Sequence, residues 1–335
     1  MSLKTGCLPE IGPATMMFSF PQGDPDSVLK GLGGDDRLFV RAELAVSRCD
    51  FKAAKALYGQ LVTSPRYFQA AVRFGVISAI GLGDVGLFDE IVKRLVVLRR
   101  TVSDAAMELS VDLAEGWMHQ WMWISTGYPE WIRRFDFENV PEQWRDSAAY
   151  LGARAYLVRG QFESAYAAAA LMMNYAGPGR DITARDVYLM MTRAVACRET
   201  RREAEMKRWL EAVVCKVAPH GFLLPLLLFL HGSAKSPVED LLGEIRPVLV
   251  PQFREINHSY YKNLVRIRNH YLSECVSDRL SLREMYLAML LKRGLAYGEL
   301  ANRFGITVGR MKNLVSKVYE KLGIHSRGEL KDIVW

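Results

Sequence analysis

The fold is clearest in one stretch near the carboxyl terminus: Ala296-Tyr-Gly-Glu-Leu-Ala-Asn-Arg-Phe-Gly-Ile-Thr-Val-Gly-Arg-Met-Lys-Asn-Leu-Val-Ser-Lys-Val-Tyr-Glu-Lys-Leu-Gly323. Its first part, Ala296–Phe304, has the apolar spacing of a short helix, and Val308–Leu322 has that of a longer one. Gly305-Ile306-Thr307 lies between them as a tight turn, and Gly323 ends the second helix. The stretch therefore predicts a helix, a glycine-containing turn and a longer helix, the order of a helix-turn-helix.

Two further helices are predicted beside this stretch. Leu280–Gly294 reads as one helix, with Ser281 at its start and Gly294 at its end. Ser326–Ile333 reads as the last helix of the chain. The sequence thus predicts a four-helix carboxyl-terminal domain over residues 280–335.

Positive charge is concentrated in this part of the chain. The 335 residues carry a formal charge of +7, with a pI near 9.1. The last 59 residues, 277–335, hold eleven Lys or Arg and six acidic residues, which is +5 and leaves +2 for the other 276. The charged side of the longer helix has four cations and one acid: Arg310, Lys312, Lys317, Lys321 and Glu320. A helix with one apolar and one basic side suits a polyanion such as duplex DNA.

The domain resembles the LuxR-type helix-turn-helix, also called the FixJ or GerE type, over about 55 residues. The matching positions lie in register without a gap: Leu280, Arg283-Glu284, Leu290, Gly294-Leu295, Glu299-Leu300-Ala301, Phe304-Gly305-Ile306-Thr307, Met311-Lys312-Asn313, Val315, Lys321-Leu322-Gly323-Ile324 and Ser326-Arg327. The chain departs from the pattern at Leu282, where the family usually has Pro, and at Gly309-Arg310, where Lys-Thr is commoner. The resemblance implies a sequence-specific transcription regulator whose third helix enters the major groove.

The resemblance also implies which side chains meet double-stranded DNA. Lys312, Asn313 and Ser316 are expected at base edges, where Asn313 has the chemistry to bond adenine through two hydrogen bonds.

Members of the family usually act as homodimers on two-fold sites, often through the last helix.

Other side chains are expected at the DNA backbone. Thr307 is expected to cap the third helix and to offer its hydroxyl and N–H groups to a phosphate. Lys317 and Arg327 are expected to reach the backbone, and Arg310 adds a charge near the helix start.

Two alternatives to DNA binding stay open. A protein-interaction adaptor whose helix-turn-helix has lost DNA binding would keep the same helices, and a solvated basic helix would serve only as scaffold. The presence of Lys312, Asn313 and Lys317 favours DNA. An enzyme is disfavoured because no constellation of acid, base and nucleophile appears in the sequence.

From about Arg37 onward the chain has helical periodicity rather than the alternation of strands. Apolar residues recur at three and four spacing over these ranges: 37–48, 51–62, 67–82, 85–100, 104–123, 145–158, 162–175, 183–198, 201–217 and 249–274. The fold class is therefore predicted to be all-α.

A weak internal repeat appears in this helical part. Ser47–Ala54 and Leu157–Ala165 each combine a helix end, a tight turn, an aromatic residue and Ala on the next helix. Gly81–Phe88 and Arg198–Ala204 are looser copies, and the spacings of 34 and 38 residues resemble tetratricopeptide-type repeats. We therefore predict a helical-repeat solenoid, in which a concave face would bind a ligand or a protein.

These observations divide the chain into four parts. Residues 1–36, with six Gly and four Pro, form an irregular lead-in. Residues 37–272 form the helical-repeat sensor or interaction domain, 273–279 a short connection, and 280–335 the DNA-binding domain. The hypothesis for control is a small-molecule inducer or protein partner on the repeat domain.

Five of the seven Trp lie within 28 residues, between Trp117 and Trp144. One interpretation is an irregular core where the repeat pattern breaks. The sharper interpretation is an aromatic ligand pocket, lined by Trp117, Trp121, Tyr128 and Trp131. Both interpretations stay open, with the core favoured.

No cofactor or metal site is expected. Gly81-Leu-Gly-Asp-Val-Gly86 matches G-x-G-x-x-G, but helical patterning precedes it and no strand–helix alternation follows, so we interpret it as a turn between helices. The six His are isolated from one another, and the five Cys form no C-x-x-C pair.

The sequence also favours a cytoplasmic protein without a membrane span. An odd number of cysteines suits reduced thiols, and the amino terminus has no clear apolar core of a signal peptide. The most apolar run, Phe222–Leu230, contains Pro225 and is far shorter than the ~20 residues that a membrane span needs. It is interpreted as a buried helix or as the entry to one.

Overall fold

A computed structural model describes residues 25–124, 127–175, 182–229, 236–272, 280 and 282–331. Within these ranges the regular structure is helical and no strand is present, so the all-α prediction is confirmed. No helix in them has both the length and the apolar character that a membrane crossing requires. The chain divides into two compact units, residues 1–229 and 230–335.

The first unit contains eleven α-helices in its described part: α1 Gly34–Ser47, α2 Phe51–Leu61, α3 Phe68–Leu82, α4 Val85–Thr101, α5 Ala105–Trp121, α6 Glu130–Arg134, α7 Glu142–Val158, α8 Phe162–Tyr175, α9 Ala184–Glu199, α10 Glu203–Val217 and α11 Leu224–Leu227. Short 3-10 helices span Pro25–Leu29 and Ala218–His220. The nine helices predicted in this region are all present, with ends shifted by at most three residues. The sequence missed α6, while α11 fulfils the prediction of a short buried helix after Phe222.

The same backbone turn ends five long helices of the first unit and also the short helix α6, at Phe135. In the long helices it is centred on residues with left-handed φ values between +54° and +78°: Cys49, Gly83, Trp123, Gly160 and Arg201. In each turn the following residue donates its N–H to the carbonyl five positions earlier, for example from Asp50 to Ala45 at 2.8 Å. The turns of the long helices lie 34, 40, 37 and 41 residues apart. Helices α1, α3, α5, α7 and α9 therefore end at a nearly constant spacing.

Four of these turns lead directly into the next helix, namely α2, α4, α8 and α10. Two of those helices start on an aspartate that caps them. Asp50 accepts the backbone N–H of Ala53 at 3.1 Å, and Asp84 accepts that of Leu87 at 3.0 Å. A capping carboxylate satisfies an otherwise unpaired N–H and suits the positive end of the helix dipole.

The five long helices that end in these turns pack in a row, each against the next. The intervening helices pack on this row, for example α2 on α1 and α3. Gly81 permits one such approach, because a Cβ there would lie 2.2 Å from ring atoms of Phe51 at the start of α2. Small residues at helix crossings thus set how closely the row and its flanking helices pack.

The row closes around a shared interior. Helix α11 contacts α9, α10 and α1, and the N–H of Leu223 donates to the carbonyl of Ser47 at 2.8 Å. On the inner side, the Arg73 guanidinium of α3 lies 5.9 Å from the ring centroid of Tyr188 on α9. Helices α3 and α9 of the row therefore approach each other across the interior, and α11 contacts both α1 and α9.

The second unit contains α12 Pro237–Ile245, α13 Leu249–Leu272, α14 Leu282–Lys292, α15 Tyr297–Phe304, α16 Val308–Leu322 and a 3-10 helix, Gly328–Lys331. The sequence predicted α13 to α16 closely but missed α12. The predicted last helix, 326–333, is a 3-10 helix in its described part, and residues 332–335 lie outside the described residues.

The compact units divide the chain earlier than the predicted domains do. Residues 237–272 were predicted to belong to the repeat domain, whereas α12 and α13 lie in the second unit, where α13 packs against α12 and α14. The predicted connection 273–279, Ser281 and most of the predicted lead-in lie outside the described residues.

Candidate nucleic-acid interface

Helices α14, α15 and α16 position the basic helix of the second unit. Helix α16 packs against both α14 and α15. Gly305 ends α15 with φ +63°, a conformation that side chains with a Cβ rarely adopt. The N–H of Ile306 then donates to the carbonyl of Ala301 at 3.0 Å, and α16 begins at Val308. The connection between the two helices is therefore only three residues long.

Thr307 is the amino-terminal cap of α16, as the sequence predicted. Its hydroxyl oxygen accepts the backbone N–H of Arg310 at 3.3 Å. At the start of α15, the Glu299 carboxylate accepts the N–H of Ala296 at 2.9 Å. Both helices therefore have a side chain that satisfies one of their first N–H groups. A contact between Thr307 and a phosphate stays a prediction.

One side of α16 is buried. Met311, Val315 and Val318 are at most 2% exposed. Their spacing of four and three residues puts them on one face of the helix. This face fixes the rotation of α16 on its neighbours, so the opposite face is directed to solvent.

The opposite face carries the residues predicted to meet DNA. Six of them are exposed: Thr307, Arg310, Lys312, Asn313, Ser316 and Lys317. Among the described residues, none of the cations Arg310, Lys312 and Lys317 has an ion-pair partner. The Ser316 hydroxyl donates to the carbonyl of Lys312 at 3.1 Å. The face is therefore basic, exposed and unoccupied by partners from its own described fold.

Two further cations of this domain are held by contacts within it. The ammonium group of Lys321 lies 2.7 and 2.8 Å from the two carboxylate oxygens of Glu284 on α14. Arg327 donates from Nε and Nη2 to the carbonyls of Leu291 and Leu295, at 2.8 and 2.9 Å. The sequence placed Lys321 on the charged side and Arg327 at the DNA backbone. In the structure both side chains tie α14 to later parts of the domain.

Of the four aromatic residues predicted to line a pocket, three are buried and one lies nearer the surface. Trp117, Trp121 and Tyr128 are at most 3% exposed, and Trp131 is half-buried. The indole N–H of Trp117 donates to Gln69 at 3.0 Å, and that of Trp131 donates to Asp112 at 2.6 Å.

Their surroundings differ as well. Trp121 packs edge-on against Tyr188 in the interior, and the Tyr128 ring lies 5.9 Å from that of His119. Trp131 packs instead on Phe137. Trp117, Trp121 and Tyr128 therefore belong to the buried interior, whereas Trp131 lies nearer the surface.

The glycine motif Gly81–Gly86 lies at a junction of two helices. Gly81 is in α3, Gly83 forms the left-handed turn, and Gly86 is in the first turn of α4. The prediction of a turn between helices is confirmed. Among the described residues, no group of three or more His, Cys, Asp or Glu side chains is arranged to hold a metal ion.

Comparison with known proteins found no relative: no family model, curated protein or solved structure matches the chain. The geometry of the second unit is therefore what supports a functional proposal.

Proposed function

We propose that the chain is a sequence-specific DNA-binding transcription regulator of the LuxR type. In this proposal α15 and α16 form the helix-turn-helix, and α16 enters the major groove. The first unit, with its recurring turns, serves as a tetratricopeptide-like sensor or interaction domain. The regulator acts in the cytoplasm, as a homodimer on a two-fold site, under control of a small molecule or protein bound to the first unit.

The observation that supports DNA binding is that some cations of the second unit are bonded within the domain, whereas others are exposed and have no partner among the described residues. Lys321 and Arg327 hold the domain together through α14. Arg310, Lys312 and Lys317 have no such role in the described structure, yet they lie together on the exposed side of a capped, firmly packed helix. Exposed, unpaired cations on one helix face match the requirement of a phosphate backbone.

The roles of individual residues follow from this placement. Lys312, Asn313 and Ser316 meet base edges, and Asn313 is the one suited to recognise adenine. Thr307, Arg310 and Lys317 contact phosphates, with the first N–H groups of α16 close to Thr307.

The test is a salt titration of duplex binding by the full chain. Genomic fragments are first selected with the wild-type protein, and affinity is then measured between about 50 and 200 mM salt, the range over which counterion release is large. Arg310→Ala with Lys317→Ala removes two proposed phosphate contacts, so it should weaken binding and reduce the slope of log K against log salt by about 1.8, or about 0.9 for each lost contact. Lys52→Ala with Lys207→Ala removes two exposed lysines of the first unit and is the matched control.

The outcomes separate the competing functions. Equal loss in both double variants would mean that net charge, not the α16 face, drives binding. Absence of duplex binding by the wild-type chain at about 50 mM salt, where phosphate contacts are strongest, would favour the protein-interaction adaptor. Asn313→Ala should keep the salt slope and lose preference at one base pair, because it removes a base contact rather than a phosphate contact.

A further inference from the structure

The interior of the first unit contains charged and polar side chains as well as apolar ones. Five side chains on the row of helices that carry a charge or an amide are at most 2% exposed: Glu43, Gln69, Arg73, Gln120 and Arg154. They come from α1, α3, α5 and α7. Aromatic rings lie among them, with Tyr150 stacked on Trp117 at 5.7 Å and edge-on to Tyr188 at 6.0 Å between ring centroids.

One part of this cluster is internally paired. Nη1 of Arg73 lies 2.9 Å from each carboxylate oxygen of Glu43. The Arg73 guanidinium also lies 5.4 Å from the centroid of the Trp117 ring. Gln69 accepts the Trp117 indole N–H. These contacts explain how Glu43 and one face of Arg73 are accommodated in the interior.

The other part has no partner. Arg154 is 0% exposed, and none of its three nitrogens is hydrogen-bonded to a described residue. The same holds for both amide atoms of Gln120, for Nε and Nη2 of Arg73, and for the hydroxyl oxygens of Tyr150 and Tyr188. Buried guanidinium groups are rarely left unpaired, because removing their charge from water without a counter-charge is very unfavourable.

These unpaired groups are neighbours. Tyr150 lies one helical turn before Arg154 on α7. The Arg73 guanidinium lies 5.4 Å from the Trp117 ring and 5.9 Å from the Tyr188 ring, and both rings pack on Tyr150. Burial raises the pKa of Tyr150, and the charges of Arg154 and Arg73 oppose that rise. Gln120 and Trp117 are three residues apart on α5, and Trp117 packs on Tyr150. The free donors of four helices therefore converge on one region.

The chemistry of the cluster selects the kind of ligand. Guanidinium groups donate hydrogen bonds and accept none, so the unpaired set offers mainly donors. The cluster has a net charge of +1, because it contains two guanidinium groups, Arg73 and Arg154, and one carboxylate, Glu43. A single negative charge balances it, and the planar fork of Arg matches a carboxylate through two parallel hydrogen bonds.

We propose that the interior of the first unit binds a small monocarboxylate, held by Arg154 with help from Arg73 and Gln120 and flanked by the rings of Trp117, Tyr150 and Tyr188. Such a ligand supplies the missing counter-charge and joins α3, α5, α7 and α9. Its role as the inducer rests on the proposed function, whereas the binding itself does not.

The experiment is thermal unfolding of the full chain, followed by Trp fluorescence. Six of the seven Trp lie in the first unit, so the signal reports mainly on that unit. The probes are sodium acetate, benzoate, succinate and inorganic phosphate, each compared with NaCl at equal ionic strength. At a ligand concentration of about a hundred times Kd, wild-type Tm should rise by about 5 °C or more with at least one monocarboxylate.

Variants of buried arginines make the test specific. Arg154→Met should abolish the rise and should melt above the wild type without anion, because it removes an unpaired buried charge. Tyr150→Phe removes only a hydroxyl, and it should keep the fold and reduce the rise. Arg185→Met is the control: Arg185 is buried but paired with Asp146 at 2.5 Å and Asp186 at 3.3 Å, so its loss should lower Tm and leave the rise intact.

Two results would overturn the proposal. One is a lower Tm for Arg154→Met combined with no rise of the wild type on any monocarboxylate, which would mean that Arg154 is satisfied within the protein. The other is a rise with inorganic phosphate alone, which would exclude the carboxylate class. Duplex binding by Arg154→Met should be retained without ligand, so failure of this proposal is distinguishable from failure of DNA binding.

Discussion

The two units contain basic side chains in opposite surroundings. Arg73 and Arg154 of the first unit are fully buried among aromatic rings. Arg310, Lys312 and Lys317 of the second unit are exposed along one side of α16. An exposed cation is hydrated and screened by salt, so it leaves the stability of the fold nearly unchanged.

A buried cation, by contrast, destabilises the fold until an anion compensates it. Cationic side chains are therefore suited to different ligands on the α16 face and in the interior of the first unit. The α16 face is suited to a long polyanion that releases counterions, and its binding should depend steeply on salt. The interior is suited to one small anion that is shielded from solvent when bound. Binding of this anion should depend little on salt, because a buried ion pair is screened only weakly.

The largest expected effect comes from breaking the buried pair. Arg73→Met should lower the free energy of unfolding by about 3–5 kcal/mol, because Glu43 then keeps a buried charge without its guanidinium. Urea unfolding followed by Trp fluorescence measures this change. Lys55→Met is the control at an exposed pair, 2.6 Å from Asp84, and should cost about 1 kcal/mol or less.

A second variant sharpens the result. Glu43→Leu combined with Arg73→Met should recover most of the loss, because two apolar side chains leave no buried charge. A single Arg73→Met variant as stable as Lys55→Met would contradict the distinction between buried and exposed pairs.

The next effect concerns a buried histidine. Burial lowers the pKa of His119 to about 4 from its usual 6.5, although a backbone hydrogen bond with Gly127 acts in the opposite direction. The unfolded chain therefore binds a proton before the folded one does. The contribution of His119 to the free energy of unfolding is therefore fully present above pH 6.5. It decreases by about 3 kcal/mol as the pH falls towards 4.

The measurement is the free energy of unfolding between pH 7 and pH 4 for the wild type and His119→Gln. The variant should lose less stability over this interval, since glutamine does not titrate. His258→Gln, at an exposed position of the second unit, is the control and should follow the wild type. Parallel curves for all three proteins would refute a role for His119.

Much of the fold follows from local sequence patterns. The long helices have enough turns to reveal their period, so their ends were predicted to within a few residues. Helix α6 is five residues long, too short for a period to stand out. The nine-residue α12 was also missed, whereas the eight-residue α15 was predicted because a glycine-containing turn and a long helix follow it. The exposed face of α16 was also predictable, since helical geometry assigns Lys312 and Lys317 to the side opposite Met311 and Val315.

Contacts between distant residues could not be predicted in this way. Lys321 and Glu284 are 37 residues apart, and Arg327 reaches carbonyls 32 and 36 residues earlier. The interior cluster joins four helices, and of its members only Trp117 was among the residues predicted to line a ligand pocket. One local signal did exist, because the residues three and four positions from Arg154 on α7 include Tyr150, Leu151 and Leu157, and a cation on such an apolar face is unusual.

The next prediction compares a closely packed glycine with an exposed one through the same substitution to alanine. Gly81→Ala should destabilise the first unit by about 2 kcal/mol, because the new methyl group would lie 2.2 Å from the ring of Phe51 and forces α2 and α3 apart. Urea unfolding by Trp fluorescence is again the measurement. Gly59→Ala, where a Cβ meets nothing within 4 Å, is the control and should be neutral or stabilising. Equal effects at both positions would mean that the helix crossing tolerates a larger residue.

The smallest effect is expected at Gly309 in the first turn of α16. A Cβ at this position meets nothing within 4 Å, so Gly309→Ala should gain about 1 kcal/mol from the better helix propensity of alanine. Because the gain is local, hydrogen exchange of the α16 amides is the suitable measurement, and their exchange should become slower. Gly298→Ala in α15 also meets open space and should slow exchange in that helix instead. Faster exchange in α16 after Gly309→Ala would mean that this first turn needs glycine, and the departure from the LuxR-type pattern at Gly309-Arg310 would then reflect a different backbone at the start of the basic helix.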